Sequence, residues 1–194
     1  YAGVGNNVLN GSTGIDTVSY AFGVTGTTGV TASLALTTAQ ATGGSGSDTL
    51  IAIENLTGSN NNDTLTGNSL ANVLTGGLGK DLLTGGAGSD LFDFNAWSEI
   101  GLTSATRDVI NDFALGVDKI DLSTLDANEG LAGNQAFSAP VVGGTFSGAF
   151  ATAGDLYFDN VAHVLYGNTD ADAAAEFAIQ LVGVSALTAT DLFL

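Results

Sequence analysis

Gly58-Ser59-Asn60-Asn61-Asn62-Asp63-Thr64-Leu65-Thr66 is followed without a gap by Gly67 to Thr75, Gly76 to Thr84 and Gly85 to Asp93, a period of nine residues. Position six of the unit reads Asp63, Asn72, Asp81, Asp90, and position eight reads Leu65, Leu74, Leu83, Phe92. The unit recurs at Gly43 to Ile51, with Asp48 and Leu50, and at Gly11 to Ser19, with Asp16 and Val18. A weaker copy runs from Ala2 to Asn10, with Asn7 and Leu9. Self-similarity at a short fixed period is the mark of a solenoid, in which each unit buries its apolar face only by stacking on its neighbours. The rival reading, ordinary Gly/Asp turns in a β-sandwich, does not produce contiguous copies in register.

Each position of the unit has a physical task. The first six residues reverse the chain, where glycine and asparagine tolerate left-handed backbone. Asn61, standing where glycine is usual, is expected to take such a conformation. The last three residues form a short strand whose apolar side chain points inward. Two units make one coil, so alternate turns stack on the same edge. Two breaks interrupt the period. Residues 20–42 are read as an enlarged coil with one long strand, from the alternation of Val30, Ala32, Leu34 and Leu36. Ala52 to Thr57 is read as a tightened turn around Glu54 and Asn55. On this count, one edge stacks the turns 11–16, 43–48, 58–63 and 76–81. The other stacks 2–7, a loop near 23–29, 52–55, 67–72 and 85–90.

Composition narrows the chemistry. The chain of 194 residues is 44% hydrophobic, with 28 Gly, one Pro and no Cys or Met. It can bury a core, and it has neither disulfides nor thiolate metal sites. Three Lys plus Arg face 20 Asp plus Glu, a net charge of -17. That balance excludes nucleic acid as a partner and argues against anionic membranes. Two carboxylates about 4 Å apart repel by roughly 4 kcal/mol at an effective dielectric of 20. A divalent cation is therefore expected between stacked turns. Calcium prefers six to eight oxygen ligands, which stacked turns supply as carboxylates and carbonyls. The candidates are Asp16, Asp48, Asp63, Asp81 and Asp90, the Asn72 amide, and Ser59, Asn61, Gly77, Gly79, Gly86 and Gly88 at positions two and four. Asp63 and Asp81 are expected to share one ion. No apolar run reaches the length of a membrane-spanning helix. Tyr1-Ala2-Gly3-Val4-Gly5 has no secretory n-region or h-region and reads as the interior of a repeat in a longer chain.

The unit resembles the G-G-x-G-x-D-x-U-x repeat of RTX proteins, a known calcium-binding pattern. With Ile53-Glu54-Asn55-Leu56, Arg107 to Phe113, Gly116 to Ser123, Phe177 to Leu181 and the end Asp191-Leu192-Phe193-Leu194, nearly the whole chain resembles the C-terminal domain of serralysin-type secreted metalloproteases. It also resembles the R-modules of mannuronan epimerases. The resemblance implies several calcium ions. It implies that Glu54 is a ligand nine residues before Asp63, and that Asp108 and Asp118, ten apart, are ligands too. Glu99 is the nearest match to a further acidic ligand. The resemblance also implies a type I secretion signal in the last ~50–60 residues, read by an ABC transporter, and a secreted, extracellular or cell-surface location.

The expected architecture is all-β: a right-handed parallel β-roll over 1–95 and an antiparallel β cap over 96–194. No catalytic role is expected. The family's proteases carry HExxH in a separate domain, whereas this chain has one histidine, His163, and zinc catalysis needs three protein ligands. His163 reads as a residue of a hairpin over 159–166. Asn168-Thr169-Asp170-Ala171-Asp172 with Glu176 loosely resembles an EF-hand loop but lacks its glycine and terminal glutamate; a polar turn is the plainer reading. Lys80, Arg107 and Lys119 read as local partners for carboxylates, and Trp97 as a core or cap residue. The functional expectation is a calcium-dependent folding and export module. The alternative is an assembly or anchoring module of a surface-layer protein or adhesin, contacting itself or other surface components. A glycan-binding accessory module is a third reading, weakened by the scarcity of basic residues.

Overall fold

The computed structural model describes residues 1–194 and contains seventeen short strands and two 3-10 turns, Trp97–Glu99 and Ala189–Asp191. The first five strands are β1 (Val8–Asn10), β2 (Thr17–Ser19), β3 (Thr31–Ser33), β4 (Gln40–Gly43) and β5 (Gly46–Ile51). The repeat strands follow as β6 (Asn55–Thr57), β7 (Thr64–Thr66), β8 (Val73–Thr75), β9 (Leu82–Thr84) and β10 (Leu91–Asp93). Beyond them lie β11 (Val109–Ile110), β12 (Lys119–Asp121), β13 (Val141–Gly143), β14 (Leu156–Asp159), β15 (Val164–Gly167), β16 (Phe177–Leu181) and β17 (Leu192–Phe193). The fold is the all-β parallel roll expected from the repeats.

The period of nine places successive strands on opposite sides of the roll. One side is the sheet β2-β6-β8-β10-β12-β17, parallel throughout. The other runs β3-β7-β9-β11-β16 in parallel, then β16-β15-β14 antiparallel, with β13 on the far edge. Register carries position eight of each unit onto its equivalent. Val18, Leu56, Leu74, Phe92, Ile120 and Leu192 form one buried column. Ala32, Leu65, Leu83, Ile110 and Leu181 form the facing one. Each three-residue strand gives one side chain to the core, so burial depends on the stack and not on any single strand.

The parallel pairing does not stop near residue 95, because β11 continues on β9 and β12 on β10. Trp97 packs on Phe137 and Phe177, with ring centroids 5.9 and 5.5 Å away, beside the core.

Two expectations about the chain path are corrected. Residues 20–42 hold no long strand. β3 has three residues, Leu36 is exposed, and β4 and β5 form an antiparallel hairpin. The Gln40 side chain ends β3 by bonding both Ser33 N and Ser33 O, at 2.7 and 2.9 Å, as a neighbouring strand would. The edges before residue 58 are also reassigned. The hairpin is an excursion and not half a coil, so counting 43–48 as a stacked turn shifts everything upstream by one place. The turn 11–16 precedes β2, which lies on β6; it therefore stacks with 52–54, 67–72 and 85–90. The strand after 43–48 lies on β1, after turn 2–7. The C-terminal residues are built into the same stack. β17 is an edge strand of the first sheet, and the buried Asp191 accepts hydrogen bonds from Gly116 N and from Thr188 N and Oγ1.

The column predicts a position-specific cost. Leu83→Ala, between Leu65 and Ile110, is expected to lower stability by about 2–5 kcal/mol. Leu82→Ala, one residue earlier and partly exposed, is expected to change it by less than about 1 kcal/mol. Denaturant unfolding in saturating calcium checks the difference.

Candidate metal centre

The turns are joined edgewise by one repeated hydrogen bond. Asp63 N donates to Asp81 Oδ1 at 2.7 Å and Asn72 N to Asp90 Oδ1 at 2.9 Å, both across 18 residues. The ladders continue beyond the repeats, from Asp81 N to Asp108 Oδ1 (2.7 Å) and from Asp90 N to Asp118 Oδ1 (2.9 Å). They also extend upstream, from Val30 N to Asp63 Oδ1 (2.6 Å) and from Asp16 N to Glu54 Oε2 (2.9 Å). One edge thus carries Asp63, Asp81 and Asp108, and the other Asp16, Glu54, Asn72, Asp90 and Asp118. Glu54 and Asp63, nine apart in sequence, lie on opposite edges, as do Asp108 and Asp118. Asp16 and Asp48 are not brought together.

Backbone conformation separates two kinds of turn. Gly77 and Gly79 have φ of +92° and +126°, and Gly86 and Gly88 have +95° and +126°. A Cβ on Gly77 would lie 2.3 Å from Ser59 O, and one on Gly86 2.2 Å from Asn68 O, so neighbouring turns approach backbone to backbone. Asn61, against expectation, is not in the left-handed region, and neither is Ser59. With side chains at both places, the turn 58–63 closes differently: the Ser59 hydroxyl accepts from Asn61 N at 3.1 Å and donates to Asp63 Oδ1 at 2.8 Å.

The carboxylates are buried without cationic cover. Asp81 and Asp90 are 1% exposed and Asp108 is 0%. Their Oδ2 atoms, and that of Asp16, have no hydrogen-bond partner. The three basic residues do not supply one. Lys80 Nζ donates to Ser104 O at 2.6 Å, Arg107 Nη2 to Gln180 Oε1 at 2.9 Å, and Lys119 Nζ to Thr190 O. Lys80 and Lys119 act on carboxylates through charge alone, Lys80 on Asp108 and Lys119 on Asp191, and Arg107 bonds an amide. Burial, then the charge of Asp108, pushes the Asp81 carboxyl up to about 8. Burial, with the charges of Glu99 and Asp63, pushes Asp108 up to about 7. Burial, with Asp118 and Asp112, pushes Asp90 up to about 6. Glu99 thus acts on the last two rungs of one edge, and it also accepts from Asn95 N at 2.8 Å. An ionised oxygen held without donors in a dry site is costly, and a hard oxygen-seeking cation relieves that cost. The donor set, carboxylates beside tightly stacked backbone turns, fits calcium.

One contact was not read from the sequence. Asp112 accepts from Gly85 N and Gly86 N, at 2.8 and 2.9 Å, and so ties the turn 85–90 to β11's loop. Only the resemblance carried by Arg107 to Phe113 pointed near it. Asp170, Asp172 and Glu176 bring carboxylate oxygens within 4.8 Å of one another. Thr169 N donates to Glu176 at 2.8 Å, Asp172 N to Asp170 at 2.8 Å, and Ala174 N to Asp172 at 2.7 Å, the bonding of a polar turn. His163 sits in the turn between β14 and β15 at φ +58°, its Nδ1 against Val184 O.

Residues 14–194 match the family model described as Peptidase M10 serralysin C terminal. The chain belongs to that family. Residues 1–19 of this serralysin C-terminal chain match the model of the RTX calcium-binding nonapeptide repeat. No curated protein matches the chain. Among solved structures, it is similar to the AlgE6R2 subunit of the Azotobacter vinelandii mannuronan C5-epimerase, at 21% identity and TM-score 0.47, covering 98% of this chain and 91% of that one. It is similar also to the AlgE6R3 subunit of that enzyme, at 20% identity and TM-score 0.41, covering 99% and 80%.

The raised carboxyls set a pH dependence. Folding without calcium takes up protons at Asp81, Asp108 and Asp90, because their folded values lie above the ordinary ~4. Stability of the calcium-free fold is therefore greatest in acid and falls as pH rises through about 4 to 8. Calcium needs these groups deprotonated, so its affinity rises across the same window. Thermal melts by circular dichroism between about pH 5 and 8 are expected to fall with pH in chelator and not in calcium. Parallel curves in the two conditions would overturn this account.

Proposed function

We propose that this serralysin C-terminal chain is a calcium-dependent folding module of an exported protein, with no catalytic role of its own. The observation that carries the reading is the set of buried, donor-free Oδ2 atoms on Asp81, Asp90 and Asp108 in a chain with net charge -17. In this reading Asp81 and Asp108 hold calcium on one edge with carbonyls of the turn around Gly77 and Gly79, and Asp90, with Asp16, Glu54 and Asp118, serves the other edge with carbonyls of the turn around Gly86 and Gly88. At low cytosolic calcium the carboxylates repel and the chain stays open. In millimolar extracellular calcium it folds. We place the division of labour between a roll over 1–95 and a closing region over 96–194, which also carries the export signal.

Chelation tests the first part. Extracellular calcium modules bind at roughly 10⁻⁴–10⁻³ M, so each well-formed site contributes only a few kcal/mol at millimolar calcium. Strand signal is expected to be lost in EDTA near neutral pH and restored by calcium; an unchanged spectrum defeats the reading.

Export is tested with a matched ABC transporter. Asp191 and Leu192 are built into the fold, so deleting the last four residues is expected to reduce melting temperature and export together. Phe193→Ser, on the exposed side of β17, is expected to reduce export and leave melting unchanged. Normal export of Phe193→Ser would count against a signal at this terminus.

A further inference from the structure

We propose that the rungs at Asp48, Asp63 and Asn72 hold no ion, because the chain itself supplies the donors a cation would replace, and that within the repeats Gly58 to Asp93 the demand for calcium begins at Asp81. This rests on the calcium reading above and divides the candidate ligands of that reading into two classes.

The four contiguous repeats look equivalent, and in one respect they are. In each, a side-chain oxygen at position six takes a backbone N–H. For Asp63, Asp81 and Asp90 it comes from the rung before; for Asn72 it comes from Asn68 N within the turn. The difference lies in the remaining polar atoms. In the turns 76–81 and 85–90, position two is a left-handed glycine and no side chain reaches the carboxylate, so Oδ2 of Asp81 and of Asp90 is buried and donor-free. Asp108, the next rung above Asp81, shares that state.

Three other rungs are sealed by protein groups. Position two of the turn 58–63 is Ser59, whose backbone N–H donates to Asp63 Oδ2 and whose hydroxyl donates to Oδ1. With Val30 N, Asp63 then has donors on both oxygens. Asp48 is closed by a different set: Asn7 N (2.9 Å) and Asn7 Nδ2 (3.0 Å) on Oδ1, and the Thr42 hydroxyl (3.0 Å) on Oδ2. At the third rung the carboxylate is absent. Asn72 turns its Nδ2 onto Glu54 O at 2.7 Å, placing a hydrogen-bond donor against a carbonyl that a cation would otherwise claim. A cation entering any of these rungs must displace charge-assisted or buried hydrogen bonds already made. At Asp81, Asp90 and Asp108 it displaces none from Oδ2. The roll therefore has ion-free rungs at Asp48, Asp63 and Asn72 and ion-dependent ones at Asp16, Asp81, Asp90 and Asp108, the four whose Oδ2 is donor-free.

Calcium titration of the full chain, read by calorimetry for ion number and by circular dichroism for the folding midpoint, tests this. Asp81→Asn, Asp90→Asn and Asp108→Asn are each expected to lose an ion or shift the calcium midpoint by about tenfold or more, as loss of a charged ligand does. Asp48→Asn and Asp63→Asn are expected to keep the wild-type ion number. Ser59→Ala keeps the Asp63 charge and removes only the hydroxyl; it is expected to lower the melting temperature without changing ion number. Asn72→Asp exchanges the donor for a carboxylate and is expected to gain an ion. If Ser59→Ala or Asp63→Asn loses an ion as Asp81→Asn does, or if Asn72→Asp gains none, the division between rungs is overturned while the calcium reading stands. A wild-type chain that binds no calcium overturns both.

Discussion

The backbone N–H to carboxylate bond between coils 18 residues apart is the constraint from which the rest follows. A parallel stack of three-residue strands makes few ladder bonds per turn, and the turn peptides between them need partners of their own. A position-six side chain that accepts the neighbouring coil's N–H meets that need. It also draws a carboxylate into the wall of the roll and aligns it with the next one. Mechanical continuity is thereby bought with electrostatic strain, and the sequence offers three basic residues against it, each donating to a neutral oxygen.

The glycines belong to the same constraint. Gly77 and Gly79 sit where the backbone of the previous turn leaves no room for a Cβ, and their positive φ aims the peptides of the turn. Where serine and asparagine occupy those places, in 58–63, the turn recovers a hydrogen-bonded interior of its own. Two chemically distinct turns can therefore occupy equivalent places in one stack, because the core-facing side chain at position eight is the same in both.

Position eight was legible in the sequence because one period governs it: Leu65, Leu74, Leu83 and Phe92 are all fully buried. The position-six residues Asp63, Asn72, Asp81 and Asp90, which alternate between the two edges, were legible for the same reason. Legibility failed where the period failed. Gly43 to Ile51 has the composition of a repeat, yet its strand is half of a hairpin, and composition does not report strand direction. Asn61 matched a glycine position by propensity, but the Ser59 hydroxyl offers the turn another way to close. Glu54, Asp63, Asp108 and Asp118 all lie on the edges, but a spacing of nine or ten residues puts Glu54 opposite Asp63 and Asp108 opposite Asp118, which only the alternation of sides reveals.

That alternation gives the roll a parity. A single nonapeptide added or removed within Gly58 to Asp93 would send every later turn to the other edge. Added directly after Asp93, it would put Asp108 on the edge of Asp90 and Asp118 on that of Asp81, with β11 and β12 exchanged between sheets. Two nonapeptides restore the arrangement. The unit in which this architecture can lengthen or shorten is therefore the pair, even though the sequence repeats singly. The short Ala52–Thr57 piece, whose Ala52 takes a left-handed φ of +49°, fills one complete half-coil in six residues and keeps the count even across the hairpin.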